Sequence, residues 1–238
     1  GNINAGSGGV NRNAVINGGM NIFQRSTSET GLGASAGYFT TDRFNFAFNG
    51  TAGRVTVTQD SSAPSGFANS TKIDVTTADT SVAAGEYFIF QQKIEGQNLQ
   101  GFAKGTSDAK PFAVSFYVKG NASATYCCEL FDGDNSRQAS KLFNVTTDWT
   151  RVELTFDADT TGAFDDDSAS SFELNIWLHA GSSFTSGTLN QTFASNDNTK
   201  RASGISSIFD STDRTFFITG VQLEVGQNPT SFEHEPFE

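Results

Sequence analysis

The chain has 238 residues, with 23 Phe and 24 Gly against 4 Pro and a single Met. A length of ~200–250 residues suits one all-β domain, and aromatic and β-branched residues pack on pleated surfaces while glycines serve turns. The formal charge of −11 excludes a nucleic-acid groove, which needs clustered Lys and Arg, and argues equally against docking on an anionic lipid surface.

Residues 1–13 are rich in Gly, Asn and Ser and predict a flexible arm or linker; residues 14–238 predict a single β module. Strands are predicted at residues 15–24, 42–48, 54–59, 72–76, 87–94, 112–119, 125–131, 141–145, 150–156, 172–179 and 215–225. Between residues 94 and 105 the text IEGQNLQGFAKG predicts a short helical turn or crossover. Residues 182–211 are polar and poor in pattern, and predict an insertion loop. No apolar run approaches the ~18 residues of a membrane span, and no basic-then-apolar leader is expected at the start. The fold class that follows is all-β, an antiparallel β-sandwich. In the stretch 112–119, Phe112, Val114, Phe116 and Val118 alternate with Ala113, Ser115, Tyr117 and Lys119, and in 172–179 Phe172, Leu174, Ile176 and Leu178 alternate with Glu173, Asn175, Trp177 and His179. Each set belongs in the core. Trp149, at a turn-to-strand junction, is expected there too.

The adjacent cysteines, Cys127 and Cys128, point to opposite faces of a strand, so a disulfide between them would be strained. Two free thiols are expected, one buried and one on the polar face, which suits assembly in a reducing cytoplasm.

Alternation also nominates a surface. It places Trp177 on the polar face of its strand beside Asn175 and His179, and Tyr117, Glu129, Gln91 and Tyr87 on the polar faces of theirs. Aromatics with amides and a carboxylate suit a sugar, whose apolar C–H face stacks on a ring while its hydroxyls need paired donors and acceptors. The other reading of Trp177 is that the 182–211 loop covers it and it packs beneath. Asp157, Asp159 and Asp165, with Thr161 and Gly162, have the oxygen spacing of a calcium loop, though Ser168 stands where a closing Glu would be. The alternative there is an ordinary solvated acidic loop. Two histidines, His179 and His234, predict no triad and no zinc site, and no nucleophile elbow, P-loop or HExxH motif occurs. Glu129 and Glu173 are the carboxylate pair worth testing for glycoside hydrolysis, which needs a separation of about 5 or 6.5–9.5 Å.

Several motifs together carry a family resemblance. Asn17-Gly18-Gly19-Met20-Asn21-Ile22-Phe23-Gln24-Arg25 resembles an opening N-G-x-M-x-x-x-Q-R, and Gly37 to Phe44 resembles the next element, an aromatic, then D-R, then a second aromatic. Residues 112–119 and 149–156 resemble two core strands, and residues 214–237, RTFFITGVQLEVGQNPTSFEHEPF, resemble a C-terminal signature. The order is that of jelly-roll modules in tail and other virion proteins of bacteriophages, which are in turn similar to carbohydrate-binding modules of the xylanase-associated kind. The resemblance implies a jelly roll located in the virion, glycans and other virion subunits as partners, no enzymatic activity, and oligomers that are most often trimeric. Phe232 and Phe237 would then cap a strand or sit at a subunit contact. Many such modules hold a structural Ca2+ with a Glu after the opening motif and an Asp in the last strand; here those places carry Asn21 and Thr219.

Overall fold

A computed structural model describes residues 12–234. The chain runs through β1 (Ser28–Leu32), β2 (Phe44–Asn49), β3 (Arg54–Asp60), β4 (Ser70–Thr77), β5 (Tyr87–Glu95), β6 (Phe112–Gly120), β7 (Ala124–Asp132) and β8 (Arg137–Val145). It then forms β9 (Thr150–Phe156), β10 (Ser170–Ala180), a single helical turn α1 (Ser182–Thr185), the two-residue β11 (Ala194–Ser195) and β12 (Thr215–Val225). All pairing is antiparallel, in two six-stranded sheets ordered β1-β3-β4-β12-β6-β9 and β11-β8-β7-β10-β5-β2. The fold is a jelly-roll β-sandwich. Among the described residues no helix is long and apolar enough to cross a membrane.

The period-two faces meet between the sheets. Phe112, Val114, Phe116 and Val118 of β6 and Phe172, Leu174, Ile176 and Leu178 of β10 all enter one core. Stacked rings fill it, with Phe44 on Phe90 at 4.6 Å and Phe102 on Phe112 at 4.4 Å. The expected helical turn after β5 is a pair of 3-10 turns, Gly96–Asn98 and Gln100–Phe102.

The strand expected at residues 15–24 does not form. Asn17 (φ 59°) and Met20 (φ 54°) are left-handed, which no strand tolerates. Asn17 acts as a local brace instead: its Oδ1 accepts from the amides of Asn21 and Ile22, and its Nδ2 donates to the carbonyls of Ile22 and Asp42. Gly18 has to be glycine, because a Cβ there would sit 2.0 Å from the carbonyl oxygen of Val221. Two strands escaped expectation: β1 has no apolar face to betray it, and β11 is too short to carry a period. Arg12 and Asn13, the described end of the expected arm, are anchored to Glu233 and to the Val221 carbonyl. The rest of the arm, residues 1–11, lies outside the described residues, as does Phe237.

Two further expectations change. Both cysteines are free, but both are buried, Cys127 beneath a second, smaller apolar cluster on the outer face of the second sheet. Trp149 is half-buried outside the core, edge-on to Phe217, with the Lys119 ammonium over both rings. Phe232 packs on Phe67.

Candidate functional site

The segment between β10 and β12 folds back over the outer face of β7 and β10. Phe184, Leu189, Ala202 and Ile205 close over Ile89, Cys127 and Trp177, which is fully buried. The expected solvent-facing platform at Trp177 is therefore corrected: the 182–211 loop covers it, because an indole on a sheet surface carries too much apolar area to leave wet when a long connection can roof it. Tyr87 stays half-buried at the margin, edge-on to Phe184. Tyr117 is corrected too. It belongs to β6 of the first sheet, across the sandwich from Trp177, and packs on Phe67.

The polar residues expected around the indole do come together, but as an enclosed network. Arg201 forks onto Glu129 with Nε–Oε1 2.7 Å and Nη2–Oε2 2.8 Å, and its guanidinium lies 5.0 Å over the Trp177 ring. Trp177 Nε1 donates to Glu129 Oε2 at 2.8 Å, and Asn175 Nδ2 donates to the same oxygen at 3.0 Å. Gln91 Nε2 donates to Asn175 Oδ1 and to Glu173 Oε2. Burial pushes the Glu173 carboxyl upward despite the Asn175 bond. For Arg201, burial opposes the charge but Glu129 overcomes it and holds the guanidinium above its ordinary value. Glu129 is wholly buried with its oxygens saturated by Arg201, Trp177 and Asn175, so the Glu129–Glu173 pair has no cleft for a substrate between its carboxylates. His179 lies further along β10, also buried.

The calcium-like loop holds a protein cation. Lys104, with a fully buried side chain, brings its ammonium to Asp132, to Asp159 at 3.2 Å, and to the carbonyls of Thr161 at 2.8 Å and Gly162 at 2.6 Å. Arg137 clamps Asp159 from the other side at 2.7 and 2.9 Å. Burial would raise the Asp159 carboxyl, but Arg137, the Thr161 amide and Lys104 together lower it. Asp157 and Asp165 are exposed, and neither touches the ammonium. Of the three carboxylates expected to ligate Ca2+, only Asp159 meets a cation, and that cation is a lysine, which the spacing of acidic residues could not foretell because Lys104 lies far upstream. The place that the resemblance reserves for calcium is also closed: Thr219 Oγ1 lies 2.8 Å from the Asn69 carbonyl, and Asn21 Oδ1 accepts from Asn69.

An open groove lies at the other end of the second sheet's outer face. Its cavity of about 680 Å³ is lined by Ile22, Gln24, Arg25, Tyr38, Asp42 and Arg43 together with Lys93, Glu95, Ser168 and Ser170. Tyr38 is 40% exposed, and the Arg25 guanidinium lies 5.8 Å over its ring. Asp42 ties the loops together, accepting from the Gln24 amide and from Arg25 Nη1 at 2.9 Å. Arg43 is held left-handed (φ 70°) and reaches Glu95 at 3.6 Å, while Lys93 reaches Glu173 at 3.8 Å, linking groove to network. An aromatic ring with two guanidiniums, an ammonium, carboxylates and an amide around it can stack on an apolar face and hydrogen-bond its rim.

None of these lining residues was nominated from alternation, because most lie on loops, where no period speaks. A signal was present nonetheless. Gln24-Arg25 and Asp42-Arg43 are the polar pairs of the two opening motifs, and such pairs on loops point to a site.

No protein-family model matches the chain, and no curated protein matches its sequence. Among solved structures, a CBM4 structure shares 12% identity over 89% of this chain and 99% of its own, with a TM-score of 0.43. A family 11 carbohydrate-binding module from Clostridium thermocellum, in complex with a β-1,3-1,4-mixed-linked tetrasaccharide, shares 11% over 88% of this chain and 99% of its own, at 0.39. The enzymatically active domain of tailspike protein 4 from bacteriophage CBA120 shares 16% over 90% of this chain but only 21% of its own, at 0.46. Superpositions this loose transfer no ligand and no activity.

Proposed function

We propose that this chain is a non-catalytic carbohydrate-binding module of a bacteriophage virion protein, taking glycans in the groove at Tyr38. The observation that carries this reading is the half-exposed Tyr38 ring set among Arg25, Arg43, Lys93, Glu95 and Gln24. Arg25 covers one face of the ring, so a pyranose would stack on the other and direct its hydroxyls to the charged rim. Single contacts of this kind are weak; many copies on one particle raise them to useful avidity. The order of the opening and closing motifs supports a virion location, and the unpaired Cys127 and Cys128 suit assembly in a host cytoplasm. The enclosure of Glu129 argues against hydrolysis by the Glu129–Glu173 pair.

A glycan array run on the purified protein tests this reading, with Tyr38→Ala as the control. Removing the ring should cost about 1–2 kcal/mol, roughly five- to thirty-fold in affinity, and leave folding intact. Wild type that binds no glycan, or Tyr38→Ala that binds as well as wild type, would defeat it.

The roof over Trp177 favours a second reading, a purely structural virion protein whose jelly roll serves subunit contacts. That reading requires a trimer or other homo-oligomer by light scattering together with a silent glycan array.

A further inference from the structure

Below the roofing segment, three ionisable side chains converge that neither the groove nor the Glu129 network uses. Asp79 lies in the β4–β5 loop, Glu86 just before β5, and His179 near the end of β10; one ligand atom from each falls within 4.8 Å of the other two. All three residues are buried. His179 Nε2 and Glu86 Oε2 face each other at 3.5 Å, and among the described residues neither atom has a hydrogen-bond partner. A buried imidazole nitrogen beside a buried carboxylate normally closes to a hydrogen bond of about 2.7–3.2 Å, since leaving both unmet is costly. The wider gap has a natural explanation. Two ligands bound at about 2.0–2.1 Å to one tetrahedral ion stand roughly 3.3 Å apart.

We infer that Asp79, Glu86 and His179 form a binding site for a divalent first-row transition ion, with Zn2+ as the best fit. One imidazole and two carboxylates are the donor set such an ion takes, whereas Ca2+ and Mg2+ prefer all-oxygen shells of six or more ligands. Two buried carboxylates beside one imidazole also leave negative charge that a cation would offset.

The surroundings orient the three groups as an outer shell does. His179 Nδ1 lies 2.7 Å from Ser207 Oγ, so a proton held there leaves the Nε2 lone pair facing the carboxylates. Asp79 Oδ2 accepts from Thr51 Oγ1 at 2.9 Å and from the Ala52 amide at 2.7 Å, and Oδ1 from the Ser81 amide. The three protein ligands leave a fourth position for water. The ion would join the β4–β5 loop to β10, and Ser207 and the Asp79 amide bond to the Phe209 carbonyl would extend that join to the roofing segment. The expectation of no zinc site counted histidines alone; the other two ligands come from a distant loop and were invisible to spacing.

The test begins with the whole chain stripped with EDTA, desalted, given excess Zn2+ and desalted again. Metal is then counted by plasma emission, and a parallel sample takes Co2+ for its visible spectrum. Wild type should retain one Zn2+ per chain and show the intense d–d bands of a tetrahedral nitrogen–oxygen site, while Ca2+ given alone is lost on desalting. His179→Gln and Asp79→Asn should each abolish retention, and His234→Ala, which removes the exposed tail histidine, should leave it unchanged. Should either variant fail to fold, the wild-type Co2+ spectrum still decides. Wild type without retained Zn2+ and without Co2+ bands would overturn the site and leave His179 and Glu86 as an ion pair. So would His179→Gln that keeps its zinc.

Discussion

Replacing Trp177 with alanine separates a roofed indole from an exposed sugar platform. The indole is fully buried between the sheet and Arg201, Phe184 and Ala202, and its Nε1 is one of the donors to Glu129. Truncating a buried Trp to Ala costs about 3–5 kcal/mol, through lost transfer energy and the cavity left behind. The Glu129 carboxylate keeps Arg201 and Asn175, so the lost hydrogen bond adds only about 1 kcal/mol, the low end for such a loss. For a domain of this size each kcal/mol moves the thermal midpoint by about 2–4 °C, so Trp177→Ala should fall by roughly 8–24 °C. Trp177→Phe keeps most of the packing and should lose about 1–2 kcal/mol. Circular dichroism against temperature and urea reads both. A Trp177→Ala midpoint within a degree of wild type would refute the argument and return the indole to the surface.

The buried ammonium offers a second check. Lys104→Met leaves Asp132 and part of Asp159 without their cation and should cost about 3–5 kcal/mol in urea unfolding, whereas a loss below about 1 kcal/mol would mean the charges were never desolvated. Because the Asp159 carboxyl is lowered in the fold, its contribution to stability is present above the ordinary Asp range and is lost as the pH falls through the folded value; midpoints compared at neutral and strongly acidic pH should show it. The thiols give the third: burial raises both Cys127 and Cys128, so a thiol reagent should find almost none in the native protein and two per chain in denaturant without reductant. Rapid native labelling would mean that the roofing segment opens.

The fold was legible where alternation is long. The strands through Phe112–Val118 and Phe172–Leu178 each show one unbroken apolar face, and a one-residue error would turn every one of those side chains to solvent. The turn at Asn17–Met20 was read as strand because the apolar residues of the stretch around it mimic a period, while the left-handed Asn17 and Met20 and the Asn17 side-chain bond to the Asp42 carbonyl are features that no local pattern shows. The site was legible only in part. Alternation correctly put Trp177, Asn175, Glu129 and Gln91 on one outer face, but a face is not a surface, and whether a connection of thirty residues lies over it is a tertiary fact. Tyr117 failed for a plainer reason: period two tells inward from outward and cannot tell one sheet's outside from the other's.

Arg12 and Glu233, near opposite ends of the described chain, touch: the Arg12 amide donates to the Glu233 carboxylate at 2.9 Å, and Asn13 straddles the last strand beside them. The two ends of the described segment therefore lie side by side. Adjacent ends let a module be spliced into a host chain as a lateral bud, since the host's backbone need hardly part to admit it.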